Sequence, residues 1–184
     1  MTLTIRPAED DHEFEIAMAL LTQRIQWLRE RGSDQWVTWE RWRTKLGPSL
    51  AAGDIWILWD GDEAIGTITV EMTGDSDFWT PDELAEPAVY VSKLAVRLDR
   101  AGQELGTLLL AWASDYAWQH GCRYVRLDAW KTNEGLHAYY LSRGWTYLRT
   151  SADPNRRSGA LFQRSAGPMR QQPMELRTAT SRHG

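Results

Sequence analysis

Two stretches of this 184-residue chain combine residue types that could do chemistry. In residues 91–107, VSKLAVRLDRAGQELGT, a β-branched apolar run passes through a glycine-containing turn into helically spaced leucines. The first N–H groups of a helix have no intrahelical acceptor and stand at the positive end of its dipole, so such a turn offers several hydrogen bonds to a phosphate. Glycine also serves any tight turn, and on this stretch alone phosphate binding and a plain helix start stay equally open. The lysine and hydroxyl residue that follow the glycine of a nucleoside-triphosphate loop are absent, as are the three spaced glycines of a dinucleotide fingerprint, which sets those ligands aside. The second stretch, residues 126–145, RLDAWKTNEGLHAYYLSRGW, gathers Asp128, Asn133, His137, Tyr139, Tyr140 and Arg143 in and beside one short helix. Cys122 is the single cysteine. It reads as a small buried hydrophobe before a strand, with a nucleophile as the lesser alternative.

The elements that position these residues follow from hydrophobic spacing. Leu3 and Ile5 alternate with polar residues and predict a first strand ending at Pro7. Phe14, Ala17, Leu20, Leu21, Ile25 and Leu28 recur at three and four, predicting a helix over 12–31 that Gly32 breaks. A second helix is expected over 39–50. Residues 55–59 and 64–72 flank Asp60-Gly61-Asp62-Glu63 and read as a hairpin. Residues 73–87, with two prolines and many acids, read as a loop, and 88–96 as a buried strand. A helix from Leu105 to about His120, a strand over 124–129, a helix over 136–142, a strand over 145–150 and a short strand over 160–163 complete the pattern. This order predicts an α+β (mixed α/β) fold, a mostly antiparallel twisted sheet of about six to seven strands flanked by about four helices. One domain is expected over 1–164, with 165–184 a mobile C-terminal tail, since that segment is rich in Gly, Pro, Gln, Arg and Thr.

Together the two stretches resemble the GNAT superfamily of N-acetyltransferases. The later pattern is well matched: Asn133, a short helix closed by Tyr139-Tyr140, then Gly144-Trp145. The earlier one, in the family Gln/Arg, two residues, Gly, one residue, Gly/Ala, falls on 101–106, where Ala101 stands for Gln/Arg, Glu104 for the first glycine, and Gly106 is kept. The resemblance implies an acetyl-coenzyme A-dependent acyltransferase that needs no metal. By the same resemblance Leu94, Ala95 and Val96 would lend backbone groups to the pantetheine arm, lying like an added strand. Ala101, Gly102, Gln103, Glu104, Leu105, Gly106 and Thr107 would form the diphosphate turn, Asn133 would meet the pantetheine, and Arg143 would reach a coenzyme phosphate or remain a solvated helix-end cation. The Glu104 carboxylate suits the helix dipole but opposes a diphosphate, an effect that Arg97 or Arg100 could compensate.

The implied chemistry is direct attack of an amine on a thioester, which requires alignment, a proton acceptor and an acid for the leaving thiolate. Tyr140 is the candidate acid, because a phenol of ordinary pKa about 10 can protonate a thiolate; the bland reading is a packed helix tyrosine. Glu71 and Asp128, near strand ends, are the candidate bases, and a water chain is the alternative. His137 reads as a helix surface residue. Of the 11 tryptophans, Trp27, Trp36, Trp39 and Trp42 crowd the first helical region, and with Asp34 they could receive a cationic amine; helix packing is the alternative for them. The expected partner is therefore a small-molecule or peptide amine. A net charge of −4 offers no global attraction for nucleic acid. The sequence also shows no membrane-spanning run and no signal-like start, so the cytoplasm is expected. Monomer and homodimer are both left open. Two further classes compete with the enzyme: a non-catalytic acyl-coenzyme sensor, motivated by Ala101 and Glu104, and an interaction module with a tryptophan surface.

Overall fold

A computed structural model describes residues 2–36, 40–170 and 175–179. Among these the fold is mixed α/β, an open sheet of eight strands with five α-helices, one strand and one helix more than the spacing predicts. The chain groups into two compact units: residues 1–70, 93–110 and 170–184, and residues 71–92 and 111–169.

In the first unit the strands run β8-β1-β2-β3, followed by the end of β4. β1 (Thr2–Pro7) pairs antiparallel with β2 (Ile55–Asp60), which forms a hairpin with β3 (Glu63–Glu71). Gly61 turns that hairpin at φ 58°, a left-handed conformation that costs a glycine little. β2 is an unbroken apolar run, IWILW, and all five residues are buried, as expected of a strand covered on both faces. α1 (Asp11–Glu30) lays Phe14, Ala17, Met18 and Leu21 on a core shared with Ile55, Ile57, Trp59 and Leu46 of α2 (Glu40–Ala51). The helix starts where it does because Asp10 Oδ1 accepts the Glu13 N–H at 2.8 Å. The Glu13 carboxylate in turn binds Arg6 of β1 in a buried pair, Nη1 to Oε2 2.8 Å. Four residues of the segment expected to be a mobile tail form β8 (Glu175–Thr178), parallel to β1.

In the second unit β4 (Ala88–Val96) pairs parallel with β5 (Tyr124–Trp130) over Ala88–Tyr90, and β5 pairs antiparallel with β7 (Ser158–Ser165), which pairs with β6 (Thr146–Thr150). The stretch 73–87, expected as a loop, holds a short helix, α3 (Pro81–Ala85). Its signal was present in the sequence: Thr80 and Glu83 form a capping box around Pro81. Three arginines hold this segment as a strap, two from strands β5 and β6 and Arg156 from the loop between β6 and β7. Arg126 donates to Glu83 O, to Glu86 and to Tyr90 Oη; Arg149 binds Glu83 at 2.7 Å; Arg156 binds Asp77 at 2.8 Å. Arg149 holds the Glu83 carboxyl down at about 2.

Close packing under the strap makes Gly74 obligatory. A Cβ there would stand 2.5 Å from the Tyr90 ring and 2.9 Å from Leu84 Cδ2. Gly74→Ala is expected to lower stability by about 2 kcal/mol through overpacking, read as a shift of the urea midpoint with unchanged slope. An unshifted midpoint would mean that the strap is loosely held.

Candidate active site

In the first unit, the end of β4 leads into the turn before α4 (Leu105–Gln119). Lys93 has a left-handed φ of 50° inside the strand, an irregularity at the start of the predicted coenzyme-binding residues. The Arg97 N–H then donates to Ile65 O of β3 at 2.9 Å. Because successive residues of a strand turn their N–H and C=O to opposite edges, Val96 and Leu98 present theirs away from β3. Those groups are met by α1: Arg24 Nη2 donates to Val96 O at 3.0 Å, and Gln23 Oε1 accepts from Leu98 N at 3.3 Å.

The turn itself passes through one short 3₁₀ turn, Leu98–Arg100, and through Gly102 at φ 81°, where a side chain would meet nothing within 4 Å. Glu104 takes φ 55°. That is the conformation a glycine adopts without cost, at the position where the family pattern has glycine, and it costs an L residue about 1–2 kcal/mol. Leu108 N donates to Glu104 O at 2.9 Å, so the amides before Leu108 belong to the first helical turn, which has no i−4 carbonyl to serve it. The backbone therefore fits a phosphate group. The charge fits less well, because Glu104 Oε2 accepts from Thr107 Oγ1 at 2.7 Å and so keeps an anion at the helix start.

Compensation by Arg97 or Arg100, the sequence expectation, is not what the structure places there. Arg97 binds Asp99 (Nε to Oδ1 3.0 Å) and Glu63, while Arg100 binds Glu63 at 2.7 Å and Asp60 at 3.3 Å. Hydrogen bonds from these arginines hold the Glu63 carboxyl below its ordinary range. Both cations are thus consumed by the hairpin and the turn.

In the second unit, Asn133 caps α5 (Glu134–Ser142): its Oδ1 accepts from Leu136 N at 3.0 Å. His137, expected on the helix surface, is half-buried; its Nε2 lies 2.8 Å from Trp130 O and its ring packs on Phe162. Tyr140 sits among Tyr139, Trp145 and Phe162, with ring centroids 5.3–5.6 Å away. Burial first, then the charges of Tyr139 and Asp128, push its phenol well above its ordinary value. Its hydroxyl has no hydrogen-bond partner among the described residues. Asp128 lies half-buried in β5 opposite Leu161, Glu71 ends β3, and the Arg143 guanidinium stacks on Tyr139 at 3.9 Å beside the C-terminus of α5.

The candidate acceptor residues fall in the first unit. Trp36, at φ 63°, packs on the core around Ile57, and Asp34 is exposed. Trp39 and the side chain of Trp42 lie outside the described residues. Trp27 carries Arg24 and Arg31 over its ring at 5.1 and 4.0 Å, so guanidinium groups already occupy it. Trp56, Trp59, Trp79, Trp112 and Trp145 are buried, which accounts for much of the tryptophan content as core. Burial raises the Cys122 thiol and keeps it protonated, unlike an activated nucleophile. Among the described residues no cluster of three or more His, Cys, Asp or Glu is placed to hold a metal, and no helix is long and apolar enough to cross a membrane.

The positions missed by sequence reasoning are Gln23 and Arg24. They sit on the polar side of an amphipathic helix, and nothing local marks the contact with a backbone 72 residues away.

Comparison with known proteins gives a consistent picture. The sequence model described as the acetyltransferase (GNAT) family matches residues 21–145. The chain is similar to the uncharacterized N-acetyltransferase YesJ of Bacillus subtilis, 27% identical over 144 residues, which span 75% of this chain and 79% of that protein. Its fold is similar to a GNAT-family acetyltransferase from Listeria monocytogenes (TM-score 0.71, 19% identity, 89% of this chain and 94% of that one). It is also similar to the PaiA N-acetyltransferase of Thermoplasma acidophilum, solved in complex with coenzyme A (TM-score 0.66, 14% identity, 90% and 99% covered).

Proposed function

The chain belongs to the acetyltransferase (GNAT) family and is an acyltransferase, and on that premise we propose that it transfers an acetyl group from acetyl-coenzyme A to a primary amine by direct attack on the thioester. The observation that carries the coenzyme reading is the left-handed backbone at Glu104. The turn keeps the path of a glycine-containing phosphate turn although its side chain has changed.

Bound acetyl-coenzyme A supplies the activated acyl group. In the first unit, Leu94 and Val96 at the open edge, with Ala95 between them, would line the pantetheine arm, and the amides of residues 102–107 would hold the diphosphate. In the second unit, Asn133 would contact the arm and Arg143 a phosphate. Tyr140 would hold a proton at Oη for release to the leaving sulfur. That reading is supported by a phenol kept neutral by burial, whose hydroxyl has no hydrogen-bond partner among the described residues. Asp128 or Glu71, directly or through water, would take the proton of the attacking amine. Asp34 and Trp36 would face the acceptor, a small molecule or a peptide amine.

The test is calorimetric titration of the purified chain with acetyl-coenzyme A, then of Glu104→Gly, followed by a panel of amines with the better binder. One-site saturable binding is expected, about 3- to 10-fold tighter in Glu104→Gly because a carboxylate leaves the helix start. The same substitution relieves left-handed strain but adds glycine's entropy, so the melting temperature should stay nearly constant and the affinity change should report charge. Absence of binding in both proteins would remove the coenzyme reading.

A further inference from the structure

The two arginines beside the turn are already committed. Asp60, Glu63, Asp99 and Glu104 bring four carboxylates, and Arg97 and Arg100, both already paired, bring two guanidinium groups. A phosphate approaching the first amides of α4 therefore gains most from a cation that those carboxylates do not already hold. Arg24 of α1 answers that description. Its guanidinium rests on the open edge of β4 through one hydrogen bond, Nη2 to Val96 O at 3.0 Å, and the neighbouring Gln23 fixes the same helical turn to Leu98 N, where the phosphate turn begins. Trp27, 5.1 Å from its guanidinium carbon, supports the plane of the group. Among the described residues it has no carboxylate partner.

We propose that Arg24 is a cation that binds the coenzyme's diphosphate in this chain, in addition to the phosphate contact read for Arg143; the proposal rests on the coenzyme reading of residues 94–107. A guanidinium offers five N–H donors in a planar fork that matches pairs of phosphate oxygens, and only one is on Val96 O. Burial and the like charge of Arg31 lower its pKa, the mark of a cation lacking a counter-charge. A half-desolvated cation gains more from an arriving anion than a solvated one does.

The experiment is calorimetry on the full chain with two probes, coenzyme A and S-acetylpantetheine, which keeps the arm and lacks the diphosphate. Wild type is compared with Arg24→Gln, Arg24→Lys and Arg97→Gln, at low and high salt. Arg24→Gln is expected to weaken coenzyme A binding about 10- to 100-fold and to flatten its salt dependence, while changing S-acetylpantetheine binding less than about twofold. Arg24→Lys should recover most of the affinity for coenzyme A, and Arg97→Gln should cost less than about threefold, since that cation is already paired. Equal loss for both probes would reduce Arg24 to a support for the strand edge and overturn the proposal. Unchanged or tighter coenzyme A binding in Arg24→Gln would overturn it as well. If wild type binds coenzyme A and only the Arg24 pattern fails, the coenzyme reading stands without Arg24; if wild type binds neither probe, both fall.

Discussion

Tyr140→Phe is expected to lower the turnover number for acetyl transfer by about 10²-fold or more while leaving coenzyme binding within about twofold. The substitution removes one oxygen and keeps the ring that packs on Phe162 and Trp145, so the aromatic cluster survives. What it removes is the proton. Burial holds the phenol in its neutral form, above the ordinary value of about 10, so at neutral and mildly alkaline pH Oη is a donor toward developing thiolate charge. The sign for pH follows. A group whose folded pKa is raised keeps its proton as pH passes the unfolded value, so no falling limb of the turnover number due to Tyr140 is expected up to about pH 10. The stability contribution of the neutral phenol is full below that pH and declines above it, where the unfolded chain ionises first. Measuring the turnover number and the coenzyme dissociation constant for both proteins separates the roles: a parallel loss in both would make Tyr140 a packing residue.

Arg126→Ala should be the most destabilising of the substitutions considered, by about 3–5 kcal/mol, because it removes a fully buried side chain that serves several acceptors at once. Arg126 is 0% exposed and donates to Gln163 at 2.8 Å and to Tyr90 Oη at 3.2 Å, besides Glu83 O and Glu86. Its guanidinium also lies 5.2 Å from the Trp79 ring and 5.1 Å from Tyr124. Truncation leaves these acceptors unserved beneath the 73–87 strap and opens a cavity. For a chain of this size the melting temperature should fall by about 10 °C. Arg156→Ala supplies the control. Its pairs with Asp75 and Asp77 are partly solvated, so less than about 1 kcal/mol is expected. Calorimetric melts of the two variants check this, and equal losses would mean that the strap is held by surface charge rather than by the buried arginine.

The sequence by itself determined the elements whose information is local. The three- and four-residue spacing of Phe14, Ala17, Leu21 and Ile25 sufficed for α1, Asp60-Gly61 for the hairpin, and residues 136–142 for the body of α5, whose Asn133 cap starts it two residues earlier than read, because a helix face and a tight turn each depend on residues within a few positions. The capping box at Thr80 and Glu83 was equally local, although the surrounding acids and prolines read as loop. Tertiary structure alone decided where charge ends up. Arg97 and Arg100 look available beside Glu104 in the sequence, yet they are neutralised by Asp60 and Glu63 of the hairpin. Arg24 finds Val96 O across 72 residues, Arg126 finds Glu83 across 43, and β8 finds β1 from the far end of the chain. The physical reason is one of range. Local backbone preferences act over a few residues, whereas ion pairs, buried donors and strand edges are satisfied by whatever the fold brings within about 3 Å, and chain order carries no record of that proximity.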